Sequence, residues 1–323
     1  MAKLSRTFNV LTILTFLYEV QGKLEIRFSL PVVESNKADQ YLCFARKLDE
    51  FDDINVDGIE LHVDKENAHH VSLSVCKAPS SDQHVWDCAA AQGKVCQGNA
   101  VNLGGWEARN KHSGKYNLPK GLSVRVGKYT PMQYIVTQVH FKHSIRNATS
   151  AIANITVQLN TDRSTLNYQT YSFINEGYIP KLKKKGFFAE SACQWSKPPV
   201  LLYTFTTHTH GHGVLVEGFL VRNGTWTVLG SQLKNGEEKH FQNVPGGPVS
   251  IQPGDILAAR CLYINNKPRP IKFGMADEDE MCNFSLTFGY EDRYTDDFIR
   301  PIGCLSESPR FRFCNSSRMN SFC

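Results

Sequence analysis

What this chain has little of sets its limits first. No two of its ten cysteines stand in a C-x-x-C pair, which removes the common zinc-ribbon and thioredoxin-like readings. Apolar residues repeating at helical spacing, with caps, are hard to find anywhere, and that argues against a helical fold. Charge of one sign is scarce: the formal net charge is +5 over 323 residues. The one dense basic run, Lys181 to Lys185, suits a solvated segment better than a nucleic-acid footprint, so no nucleic-acid partner is expected. Apolar runs are short too. Val10 to Tyr18 is below the length that spans a bilayer and nothing later approaches it, so no membrane anchor is expected.

The same opening stretch has another use. Lys3 and Arg6 give a basic start, the apolar run follows, and Val20-Gln21-Gly22 is a small-residue cleavage site, so residues 1–22 read as a signal peptide. The mature protein is then expected in the secretory lumen or outside the cell, where an even number of cysteines reads as disulfides. Sequons begin at Asn147, Asn154, Asn223, Asn283 and Asn315, and all but the one at Asn283 are taken as glycosylation candidates.

Strand-length alternating or apolar stretches recur along the chain, for example Leu24 to Leu30, His70 to Val75, Tyr134 to Phe141, Val200 to Thr207 and Asp255 to Tyr263, punctuated by glycine, proline and asparagine. The fold class is therefore all-β, with two β-sandwich (jelly-roll-like) domains. A linker is expected between Phe173 and Lys185, giving an N-terminal domain over 23–178 and a C-terminal domain over 179–323.

Two histidine clusters carry the chemistry. In a strand alternate side chains share a face, so His208 and His210 of Thr207-His-Thr-His210 can converge on one ion. Met281 lies in Asp279-Glu-Met-Cys-Asn283, and a thioether beside two imidazoles suits Cu(I) far better than zinc or a hard cation. The bland alternatives are two surface histidines and a methionine filling core. The second cluster is the vicinal pair His69-His70 with His140 in Gln138-Val-His140. Neighbouring strand residues point to opposite faces, so His69 and His70 can share an ion only if the backbone bends or the rings use different nitrogens.

Together these strings resemble the copper type II, ascorbate-dependent monooxygenases, and within them the peptidylglycine α-hydroxylating enzymes. The resemblance is carried by His69-His70 ahead of Cys76-Lys-Ala-Pro-Ser-Ser81, then Leu118-Pro-Lys-Gly121 and Gln138-Val-His140. It continues through His208-Thr-His210, Val221-Arg-Asn-Gly-Thr-Trp-Thr-Val-Leu-Gly230, Gly254-Asp-Ile-Leu-Ala-Ala-Arg-Cys261 and Asp279-Glu-Met-Cys-Asn283. It implies two coppers per chain, one on His69, His70 and His140, the other on His208, His210 and Met281, the latter being the catalytic one. It implies ascorbate as reductant and hydroxylation of the glycine α-carbon of a glycine-extended peptide, the first step of C-terminal amidation. Cleavage of that product needs a lyase, expected as a separate protein. The family's bridges would pair Cys43 with Cys88, Cys76 with Cys96, Cys193 with Cys304 and Cys261 with Cys282, leaving Cys314 and Cys323. Tyr41 and Gln138 fall where the family keeps residues near the coppers.

The chain departs from the family where the substrate carboxylate is held. An arginine two residues before the H-T-H motif and a tyrosine four after the methionine are replaced by Thr206 and Ser285, and only Asn283 matches. Arg222 and Arg260 are candidate substitutes for the missing cation. The departure keeps two alternatives open: a dopamine β-monooxygenase-like amine hydroxylase, and a secreted copper-binding protein without turnover. A cupin, suggested by His210-Gly-His212 with Glu217, lacks the rest of its motif.

Overall fold

In a computed structural model of the protein the described residues are 16–20, 23–88, 95–98, 100–108, 114–163, 165–233, 241–274, 278–298 and 302–306. Cys314, Cys323, Asn315, His112, His240 and most of the proposed signal peptide lie outside them. Strands dominate, and the only α-helix among the described residues is one turn, Thr295–Phe298. No described helix is long and apolar enough to cross a membrane.

In the first half a five-stranded sheet has Tyr134–Phe141 at its centre, between Tyr41–Lys47 and Ala68–Cys76. Its buried alternates, among them Val71, Leu73, Ile135 and Val139, share one core with Ile26, Ile59, Leu61, Ile155 and Val157 of the facing sheet. Strict alternation of buried and less buried residues along Ala153–Asn160 is the period-2 pattern expected of such a layer. In the second half Leu166–Asn175, Asn283–Tyr290 and Val200–His208 run side by side in one sheet. It faces a four-stranded sheet ordered Lys183–Gln194, Ile256–Asn265, Gly213–Arg222 and Thr225–Leu233. The two halves are joined by a short parallel pairing of Leu122 and Ser123 with Leu166 and Asn167.

The changeover between cores falls between Tyr168 and Tyr171, upstream of the expected linker. The stretch 173–185 carries strand instead: Leu166–Asn175 ends in it, Tyr178–Ile179 pairs with Ile271–Lys272, and Lys183–Gln194 begins in it. Three exposed lysines at the head of that last strand hid a 12-residue strand whose alternation starts only at Phe188.

The four bridges Cys43–Cys88, Cys76–Cys96, Cys193–Cys304 and Cys261–Cys282 form as the family resemblance implies. The first two enclose a small separate core with Trp86 and Val136. The last two connect the two facing sheets of the second half. One close approach sets that half's layer spacing. Gly218 and Gly230 are register partners, and a Cβ on Gly218 would lie 1.9 Å from the Phe284 ring. Their bareness lets the stacked rings of Phe205 and Phe284 lie flat across the opposite sheet, which fixes the strand holding Asn283 and Ser285.

Candidate metal centres

A β-bulge solves the problem of the vicinal histidines. His140 is opposite His70 and Phe141 opposite Ala68, so one extra residue, His69, is inserted on that strand. The three rings are thereby gathered, with centroids of His69 and His140 4.9 Å apart and those of His70 and His140 4.8 Å apart. Tyr41, the register partner of His140 on its other side, stacks on that ring at 4.0 Å and 11°. Burial, helped by the two neighbouring histidines, pushes the His70 pKa down to about 4, so this ring is neutral at neutral pH. Metal binding requires a neutral imidazole.

Asp39, held in a left-handed backbone conformation at φ 55, reaches the same cluster. Its Oδ1 is 3.3 Å from His140 Nε2 and 3.7 Å from His69 Nε2, so two imidazole nitrogens approach one point. In the sequence, nearness to Tyr41 is the one signal that Asp39 carries. Gln138, one strand repeat before His140, places its amide 3.5 Å from Cys88 Sγ.

In the second half His208 ends its strand opposite Asn283, and its ring lies 5.2 Å from that of His210 at 86°. His210 Nδ1 is 2.8 Å from the Asp279 carbonyl oxygen, which can only accept, so Nδ1 carries the proton and Nε2 keeps its lone pair. Met281 is half-buried, with the Asn283 amide nitrogen 3.6 Å from its sulfur. Its carbonyl accepts a 2.6 Å bond from the buried Tyr263 hydroxyl, and its neighbour Cys282 is bridged to Cys261. Glu280, fully buried, accepts backbone N–H groups from His210, His212 and Met281. Nothing in the sequence distinguishes Glu280 or Tyr263, although Glu280 sits inside Asp279-Glu-Met-Cys-Asn283. Among the described residues no three His, Cys, Asp or Glu side chains close on a single ion position. The third candidate ligand of the second cluster is a thioether.

The remaining candidates scatter. Thr206 and Ser285 are register partners on the two central strands, and Ser285 Oγ shares a 2.9 Å hydrogen bond with Ser172 Oγ. Arg222 forms a two-pronged ion pair with Asp255 (2.7 and 2.6 Å), and the buried Arg260 pairs with Glu217, its register partner on the neighbouring strand of the same sheet. Both arginines, and the glutamate of the cupin reading, are thus engaged in ion pairs. His62, His84 and His143 are exposed and outside both clusters, as are Asn147, Asn154 and Asn223.

Comparison with known proteins decides the family. Residues 26–148 match the N-terminal domain of the copper type II ascorbate-dependent monooxygenases, and residues 165–314 match the C-terminal domain. The chain belongs to the copper type II ascorbate-dependent monooxygenases. Copper and ascorbate are accordingly the cofactor and reductant its family implies.

Within this copper monooxygenase family, Xenopus laevis peptidyl-glycine alpha-amidating monooxygenase A is 28% identical over 82% of this chain and 28% of its own length. The Rattus norvegicus peptidylglycine alpha-amidating monooxygenase is 29% identical over 85% of this chain, again covering 28% of its own length. The chain thus spans little more than a quarter of these relatives. Human dopamine beta-hydroxylase is 32% identical over 30% of this chain and 16% of its own length.

Proposed function

We propose that this monooxygenase hydroxylates the α-carbon of the C-terminal glycine of glycine-extended peptides, the first step of C-terminal amidation, using dioxygen and ascorbate. His69, His70 and His140 would hold one copper, and His208, His210 and Met281 the catalytic one. The donor chemistry fits: six neutral ligands, one a soft thioether, favour an ion that cycles through Cu(I). The geometry supports it from two directions, the approach of two Nε2 atoms to one point at Asp39 and the Nδ1 bond that leaves His210 Nε2 available. Copper, when bound, supplies the one-electron redox chemistry and the activation of dioxygen.

The observation that carries the reading is the grouping of the His69, His70 and His140 rings, and of the His208 and His210 rings, on a chain similar to peptide-amidating monooxygenases over 82% of its length. The protein's own side chains have the remaining roles. Asn283, opposite His208 and against the Met281 sulfur, presents an amide to the substrate's terminal carboxylate. Thr206 and Ser285 offer hydroxyls beside it. The product, a peptidyl-α-hydroxyglycine, is passed to a lyase. Four disulfides support a secretory-pathway location after removal of residues 1–22, with Asn147, Asn154 and Asn223 exposed for glycosylation.

One observation favours a second reading, amine hydroxylation. The Thr206–Ser285 pair is uncharged, so no guanidinium stands there for a carboxylate. Incubating copper-loaded protein with ascorbate, oxygen and either a glycine-extended peptide or a phenylethylamine separates the two. Hydroxyglycine from the peptide supports the proposal, product from the amine alone replaces it with the second reading, and no product from either removes both.

A further inference from the structure

We infer that Glu280 is a positioning residue for the second metal centre: its carboxylate fastens the histidine-bearing turn to the methionine-bearing segment and sets one negative charge beside a wholly neutral ligand set. The inference rests on the copper reading above and adds a residue to it.

Glu280 has 0% exposure, in a region where its neighbours Tyr263, Cys282 and Phe284 are equally buried. A carboxylate is costly to bury unless its oxygens are met by donors, and here backbone N–H groups meet them. Oε2 accepts the His210 N–H at 2.9 Å and the Met281 N–H at 3.3 Å, while Oε1 accepts the His212 N–H. One oxygen therefore binds the backbones of two proposed ligands that lie far apart in sequence. Glu280 is itself fixed by main-chain bonds, its N–H to the Lys272 carbonyl at 2.8 Å and its carbonyl to the Gly274 N–H at 3.0 Å.

The clamp is joined by two further restraints on Met281, the Tyr263 hydroxyl on its carbonyl and the Cys261–Cys282 bridge. Burial, together with the Glu280 charge, holds the Tyr263 phenol well above its ordinary pKa, so it stays a donor to that carbonyl. Beside the carboxylate, the Asp279 carbonyl bond to His210 also links the turn 209–212 to the segment 279–281. The charge has a second consequence. Two imidazoles and a thioether bring none to the ion, so a carboxylate whose oxygens bond the ligands' own amides would set a counter-charge beside it and favour the more highly charged oxidation state when copper is bound.

Glu280→Gln keeps the shape but removes the charge and puts an NH2 group where an acceptor stood. Glu280→Asp keeps the charge and shortens the reach. In the Gln variant copper affinity at the second site should fall about tenfold or more, the copper–sulfur scattering of the Cu(I) protein should weaken, and that site's reduction potential should rise. The Asp variant should lose sulfur scattering while its potential stays nearer the wild-type value. The copper of the three-histidine site gives an internal control, since its paramagnetic resonance signal should be unchanged in both. A folded Gln variant with wild-type affinity, sulfur scattering and potential overturns the inference. If the Gln variant does not fold, Glu280→Asp decides alone: unchanged sulfur scattering overturns the clamp, and its loss with the first-site signal intact supports it. Wild-type protein without sulfur scattering overturns the metal reading itself, an outcome told apart because it needs no substitution.

Discussion

In the first half three histidines are gathered by a backbone irregularity and by ring contacts: a bulge at His69, a Tyr41 ring on His140, and the Asp39 carboxylate with 72% of its side chain exposed. In the second half the candidate ligands hang on a turn and a short segment, and these are held by a carboxylate with no exposure at all, a buried phenol and a disulfide. The bridges differ in the same sense. Those of the first half stay with one sheet and its flanking loop, whereas those of the second join sheet to sheet. A site built from side chains of adjacent strands needs little else to hold it. A site built partly from a thioether outside the sheet has to be held from outside the sheet as well.

The largest contrast concerns ligand loss. His208→Ala and His140→Ala should each reduce monooxygenase turnover by more than the ~10–100-fold typical of outer-shell changes, and each should leave one copper per chain by metal analysis. Different residual spectra are expected, with copper–sulfur scattering retained in His140→Ala and weakened in His208→Ala. Equal loss of both coppers from either variant would break the two-centre description.

Bridge removal comes next. Replacing Cys193 and Cys304 by alanine opens a loop of 111 residues and separates two layers, against 45 residues within one sheet for Cys43–Cys88. Denaturant unfolding should show a loss of about 2–5 kcal/mol for each, the larger for the second-half bridge. A larger loss from the first-half bridge would reverse the comparison.

These expectations draw unevenly on the sequence. The all-β class was legible because alternation has a fixed period, the four bridges through the family resemblance, and the histidine groupings because such residues at strand spacing have few uses. The pairing of Leu166–Asn175 with Asn283–Tyr290 was not legible, because it joins residues far apart in sequence, which no local pattern reports. Glu280 and Asp39 escaped for a related reason. Their roles lie in backbone amides and imidazole edges that the fold brings to them, and neither carboxylate is distinguishable in the string from a solvated one.

The His70 environment gives a pH test of the first half. Unfolded, this ring titrates near its ordinary 6.5; folded, at about 4. Between those values the unfolded chain holds a proton that the folded chain does not, so stability is full above about 6.5 and falls as pH drops toward 4. Apo-protein unfolded by denaturant across this window should lose about 2–3 kcal/mol, and His70→Gln should flatten the dependence. An unchanged slope in that variant would remove the burial argument.

The smallest expected effect tests substrate choice. Thr206→Arg puts a guanidinium at the hydroxyl pair, and a charge-assisted bond to a carboxylate is worth about 1.5–3 kcal/mol. Competition binding should show a gain of about tenfold or more for a peptide ending in a free carboxylate over its amide. No change would place the substrate's carboxylate elsewhere.

The account stands most directly on whether the chain holds two coppers in unlike ligand sets. X-ray absorption of the ascorbate-reduced protein, with its metal content measured on the same sample, tests this. Two coppers per chain are predicted, with one sulfur scatterer for every two metal ions, lost on Met281→Ala. A single copper, or two with no sulfur in the wild type, would contradict it.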